Sequence, residues 1–133
     1  MGTAASLDTN CIVHCFVEDV TAQTIAIHKL LADGNTYGIA DVALIEAVFV
    51  LEKQYQFSRS LVVEFIGTIV NMRQVNCNRP LFRTALKLYE ANKSESIIDC
   101  CLAVYANLTD ATPLLTFDKS AAKHLPDTKL LAV

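Results

Sequence analysis

At 133 residues the chain has the length of one ordinary domain, and 53% apolar against 19% charged residues exclude an intrinsically disordered segment. Eleven Lys and Arg against fourteen Asp and Glu give a net charge of −3, so composition offers no overall basic surface. No apolar run reaches the roughly 18 residues of a membrane-crossing helix, because Glu46, Glu64 and Asp99 interrupt the candidates, and the first residues lack a signal-peptide pattern. Residues 1–133 are therefore expected to form a single soluble, cytoplasmic domain.

Taken in chain order, Ala4 to Asp8 reads as a short buried strand, and Thr21 to Ala32 repeats apolar residues at helical spacing before the stop at Asp33-Gly34-Asn35. Tyr37 to Ala40 is a second strand. Asp41 opens a helix to about Gln54, Ser58 caps one to about Met72, and Gln74 to Cys77 is a weak strand. Pro80 opens a helix through about Asn92, and Ser94 or Ser96 caps another to about Leu108. Pro113 to Phe117 reads as a buried strand, Asp118 starts a brief helix, and Thr128 to Val133 is a last strand. Alternating short apolar strands and helices predict an α/β fold whose parallel sheet is covered by helices on both faces.

The four glycines are too scattered for a GxGxxG turn or a P-loop, and neither a GxSxG elbow nor an HExxH pair occurs. The five cysteines read as buried reduced thiols. Cys11, His14 and Cys15 have zinc-ligand types but lack a closing pair, and His28 and His124 have no cysteine or carboxylate arrangement around them in sequence.

Most acids stand where solvated acids belong, but four do not. Glu46 has Val42, Ala43, Phe49 and Val50 at three and four positions on either side, which implies burial. Asp99 interrupts Ile97-Ile98-Asp99-Cys100-Cys101, while Asp8 and Asp118 each end an apolar strand and precede helical residues. Each has a simpler reading: Asp8 and Asp118 as helix caps, Asp99 as a first-turn acid, Glu46 as a partner of Lys53. Their joint occurrence favours a shared acidic site, because isolated buried carboxylates cost several kcal/mol each. The carboxyl ends of parallel strands lie on one sheet edge, and carboxylate oxygens suit magnesium or manganese.

These residues carry a resemblance. Leu7-Asp8-Thr9-Asn10, the segment Asp41 to Glu52 with Glu46 in its acidic position, Ser96-Ile97-Ile98-Asp99 and Leu115-Thr116-Phe117-Asp118-Lys119 are similar, in order and spacing, to the four motifs of PIN domains. The chain most closely resembles the VapC-type toxins of bacterial toxin-antitoxin pairs. The resemblance implies a three-layer α/β/α sandwich with a central parallel sheet, and an endoribonuclease dependent on Mg2+ or Mn2+. It implies Asp8, Glu46, Asp99 and Asp118 as metal-binding and catalytic acids, Asn10 as a support for Asp8, and Thr116 as a hydroxyl orienting the Asp118 carboxylate. The sequence departs from the family pattern in Cys100-Cys101 after the third acid and in the absence of a glycine turn between Asn107 and Thr112.

Setting aside the four acids leaves 11 basic residues against 10 acidic ones, and Arg73, Arg79, Arg83, Lys87 and Lys93 give the middle of the chain a basic bias able to track an RNA backbone. In the helix from Ser58, Leu61, Phe65, Ile66 and Ile69 form the expected core stripe. Val63 and Val70 fall on another face, and are expected to contact a second copy in a homodimer or an antitoxin protein. Two other functions compete with the nuclease: a catalytically silent PIN-like module that holds RNA or protein, and a phosphotransfer receiver or phosphatase-like domain. Retention of all four acids disfavours the first, and the absence of a D-x-D motif and of a strand-terminal Asp in the middle of the chain disfavours the second.

Overall fold

The computed structural model describes residues 2–133 and divides them into a unit ending at Arg79 and a unit from Pro80 to Val133. In the first, β1 (Ala5–Ser6), β2 (Tyr37–Gly38) and β3 (Val75–Asn76) form a parallel sheet in the order β1-β2-β3. Ala5 lies opposite Tyr37, and Tyr37 opposite Val75. Backbone bonds lengthen these two-residue ladders: Leu7 N donates to Gly38 O at 2.8 Å and Ile39 N to Asn76 O at 3.0 Å. The strand at the start of the chain is shorter and less buried than its sequence suggests, since Ala5 and Ser6 are exposed and only Leu7 is enclosed.

The helices of this unit are α1 (Thr9–Val13), α2 (Thr21–Leu31), α3 (Asp41–Lys53) and α4 (Arg59–Asn71). α1 is brief, follows β1 after Leu7 and Asp8, and packs on α3. The enclosed face of α3 carries Leu44, Ala47, Val48 and Leu51, the i, i+3, i+4, i+7 spacing of a core helix. α4 packs against α3 and buries Val62, Ile66, Ile69 and Val70 completely. The Val70 expectation fails here, because its side chain has no exposed surface to offer a partner. Its place on the inner face goes with Ile66, four residues earlier, whereas Phe65 turns to an aromatic group in which Phe16 stacks on it at 4.6 Å and Phe57 meets it edge-on at 5.4 Å. Val63 is half-exposed.

Local signals end the helices as expected. Ser58 accepts from Leu61 N at 3.2 Å to cap α4. After α2, Gly34 adopts φ +87, a left-handed conformation that glycine takes without a Cβ clash.

The second unit holds α5 (Arg79–Ala91, whose first residue belongs to the preceding unit), α6 (Ile97–Leu108), β4 (Leu114–Thr116), α7 (Lys119–His124) and β5 (Thr128–Leu130). β4 and β5 pair in parallel, with Leu114 opposite Thr128 and Thr116 opposite Leu130. α5 buries Leu81, Phe82, Ala85, Leu86 and Tyr89 along one stripe, and α6 buries Ile97, Cys100, Cys101 and Val104. The strand predicted as buried over Pro113 to Phe117 is open on one side: Leu115 is 55% and Phe117 67% exposed, because alternate residues of a strand point to opposite faces and this face is uncovered. Where a glycine turn is missing after α6, Asp110 takes φ +54, a left-handed conformation that Asp tolerates better than most residues.

Among the described residues no helix is long and apolar enough to cross a membrane, and no cysteine forms a disulfide. The fold class is α/β with parallel strands, as the sequence predicts.

Candidate metal centre

In the first unit, Asp8 follows β1 and caps α1, its Oδ1 accepting from Cys11 N at 3.0 Å. That backbone hydrogen bond, more than any other contact, holds the Asp8 carboxyl below the usual carboxylate range, and the Asn10 backbone amide adds to it. The contact from Asn10 to Asp8 is made by the main chain and does not depend on the asparagine side chain. Glu46 is exposed on α3, contrary to the burial its apolar sequence neighbours imply. The enclosed face of α3 is set by Leu44, Ala47, Val48 and Leu51, and Glu46 lies outside it. Its Oε1 accepts from Thr9 Oγ1 at 2.5 Å, which ties it to the residue next to Asp8. Lys53, its suggested ion-pair partner, instead lies 5.9 Å from the centre of the Phe49 ring.

In the second unit, Asp99 stands in the first turn of α6, whose cap Ser96 accepts from Asp99 N at 3.1 Å. Asp118 follows β4 and caps α7, with Oδ1 accepting from Ser120 N at 2.9 Å and Ala121 N at 3.1 Å. The simple readings of Asp8 and Asp118 as helix caps are therefore correct as far as they go; capping engages one carboxylate oxygen of each and leaves the other for a ligand. Thr116 Oγ1 accepts from Asp118 N at 3.0 Å, so the threonine positions the Asp118 main chain where a contact to its carboxylate was expected.

The residue that sequence reasoning missed is Glu95. It is 1% exposed, and one carboxylate oxygen each from Glu95, Asp99 and Asp118 lie within 4.8 Å of one another. Glu95 Oε2 accepts from Ser120 Oγ at 2.6 Å and Ser94 Oγ at 2.6 Å, and His124 Nδ1 approaches it at 3.1 Å. The Ser120 and Ser94 hydroxyls, then the His124 imidazole, hold the Glu95 carboxyl below its ordinary range. His124 therefore has the carboxylate neighbour its sequence surroundings lack, brought from 29 residues away. In sequence Glu95 stands between Ser94 and Ser96, ahead of the α6 cap, and nothing local signals the side chains that meet it.

The donor set fits a hard divalent cation. Three carboxylates converge, one is enclosed and biased to its anionic form, and oxygen ligands of this kind suit magnesium or manganese. The alternative at Cys11, His14 and Cys15 does not fit zinc. His14 is bonded through both ring nitrogens, to Asn10 O and Asp19, and burial pushes the Cys15 thiol up to about 12, away from the thiolate a metal requires. Arg79 is likewise committed: its guanidinium donates to the carbonyls of Val70 at 2.7 Å, Met72 at 2.6 Å and Val75, closing the end of α4.

Residues 5–125 match the model of the PIN domain family. Over 96 residues the chain is 27% identical to a VapC ribonuclease of Aquifex aeolicus (strain VF5), an alignment covering 71% of this chain and 70% of that protein. The family match spans nine-tenths of the sequence and takes in all four acidic motifs, and the chain belongs to the PIN domain family.

Proposed function

We propose that this chain is a Mg2+- or Mn2+-dependent endoribonuclease that acts as the toxin of a toxin-antitoxin pair. The observation that carries the reading is the convergence of Glu95, Asp99 and Asp118 within 4.8 Å inside a PIN domain similar to a VapC ribonuclease. In this reading residues 1–133 are one PIN domain, and Asp8, Glu46, Asp99 and Asp118 are the catalytic acids, with Glu95 as a further ligand. A divalent ion, when bound, eases loss of a proton from water and offsets the negative charge that develops on the phosphate under attack. The chain's own part is to hold the carboxylates. Ser94, Ser120 and His124 keep Glu95 anionic, the α7 amides orient Asp118, and Thr9 orients Glu46. RNA is the substrate and an antitoxin protein the partner. The homodimer, where it forms, uses the α4 surface around half-exposed Val63.

Cleavage of labelled total RNA by the pure protein, with Mg2+ or Mn2+ and beside Asp8→Asn, Asp99→Asn and chelator controls, tests this. Cutting that requires metal and disappears in both variants is the expected result. Metal binding that both variants lose, without cutting of any RNA by the parent, would favour the silent RNA- or protein-binding module.

A further inference from the structure

A cleft of about 410 Å3 opens between α1 and α2, within the range of roughly 300–1,000 Å3 typical of small-molecule sites. Its α2 wall is Gln23, Ala26, Ile27 and Leu30, the i, i+3, i+4, i+7 face of that helix, and its α1 wall is Asn10 and Cys11, with Asp8 at the junction with β1. The lining is mainly apolar. Asn10 and Gln23 are the two amide residues of the lining, both exposed, and neither side-chain amide makes a hydrogen bond among the described residues.

We propose that this cleft receives a nucleobase of the RNA strand, with Ile27, Ala26 and Leu30 against the base and Gln23 and Asn10 reading its edge. The inference rests on the ribonuclease reading, because Asp8 belongs both to the cleft and to the acids assigned to the metal. In that reading a divalent ion held by Asp8 would bind a phosphate of the strand, which brings a neighbouring base to the cleft. The chemistry of the lining selects the occupant: an apolar surface accepts the π-face of any base, and an amide, which both donates and accepts, complements a Watson–Crick edge. A purely apolar peptide face would leave both amides buried without partners, which is costly. Gln23 and Asn10 are thus specificity-determining residues, apart from the catalytic acids.

Cys11 makes the cleft observable without catalysis. It is half-buried in the wall, so its rate of maleimide labelling, read peptide by peptide against Cys77, reports occupancy. The full-length protein is labelled in Mg2+ with AMP, CMP, GMP or UMP present, none of which has a phosphodiester to cut. Slower labelling of Cys11 by at least one nucleotide, with Cys77 unchanged, is expected, and Ala26→Trp, which fills the cleft from an exposed position, should abolish the protection. With cleavable RNA, Ala26→Trp and Gln23→Ala should raise KM by roughly tenfold, the scale of one lost base contact, with kcat and the thermal midpoint near those of the parent. Labelling indifferent to all four nucleotides, or protection that survives Ala26→Trp, overturns the subsite. Unaltered cleavage by Ala26→Trp also overturns it while keeping the ribonuclease. Nucleotide protection sensitive to Ala26→Trp in a protein that cuts no RNA supports the subsite and overturns the ribonuclease.

Discussion

The Thr9 hydroxyl donates to Glu46 Oε1 across 2.5 Å, joining two motifs 37 positions apart. Thr9 is the residue after Asp8, so the bond fixes the exposed Glu46 carboxylate relative to the turn that presents Asp8. Thr9→Val keeps the shape and deletes the donor. It should lower kcat of metal-dependent RNA cleavage with a stability change under about 1 kcal/mol, as for an exposed side-chain bond, and Thr9→Ser should restore activity. Steady-state kinetics with thermal unfolding of all three proteins separates positioning from folding; equal kcat in parent and Thr9→Val would remove the assigned role.

Asp118 has two duties that substitution can divide. Asn keeps a cap acceptor but loses the charge, while Ala loses both. Asp118→Asn should abolish Mn2+ binding at near-parental stability, whereas Asp118→Ala should also cost about 1 kcal/mol through loss of the α7 cap. Calorimetric Mn2+ titration and denaturant unfolding read the two effects.

Glu95 sets a pH dependence whose sign follows from its lowered pKa. The unfolded chain binds a proton at this site near 4.5, and the folded chain only at lower pH. Its stabilisation is therefore fully present above pH 4.5 and lost as pH falls through the folded value. In chelator, acid unfolding of Glu95→Gln should be less steep below pH 4.5 than that of the parent. Superimposable acid limbs would show that the Ser120 and Ser94 bonds do not favour the charged form.

Val63 and Val70 should behave oppositely despite the seven-residue spacing that puts them on one sequence face. Val70→Ser places a hydroxyl in a fully buried position and should cost on the order of 2–3 kcal/mol, while Val63→Ser should fall within about 0.5 kcal/mol. Light scattering at micromolar concentration should show a dimer for the parent and weaker self-association for Val63→Ser. A parent that remains monomeric would remove the α4 contact.

Much of this protein was legible in its sequence because the signals involved are local. Ser58, Ser96, Asp8 and Asp118 cap helices through atoms two or three residues away, Gly34 permits the left-handed turn after α2, and the heptad-like spacing of Leu44, Val48 and Leu51 marks a core face. Three of the four acids of the PIN motifs, Asp8, Asp99 and Asp118, lie at a helix cap or in a first helical turn, positions that short-range patterns define. Burial was less accessible. Glu46 has apolar neighbours in sequence yet faces solvent, and Val70 is enclosed, because a helix residue's environment depends on which elements cover that face. Glu95 was hidden for the same reason: an acid between two serines reads as a loop residue until Ser120 and His124, on another helix, arrive to bind it. Sequence determined which residues carry the charge and the caps; only tertiary structure decided which carboxylates converge, since that depends on contacts between residues remote in the chain.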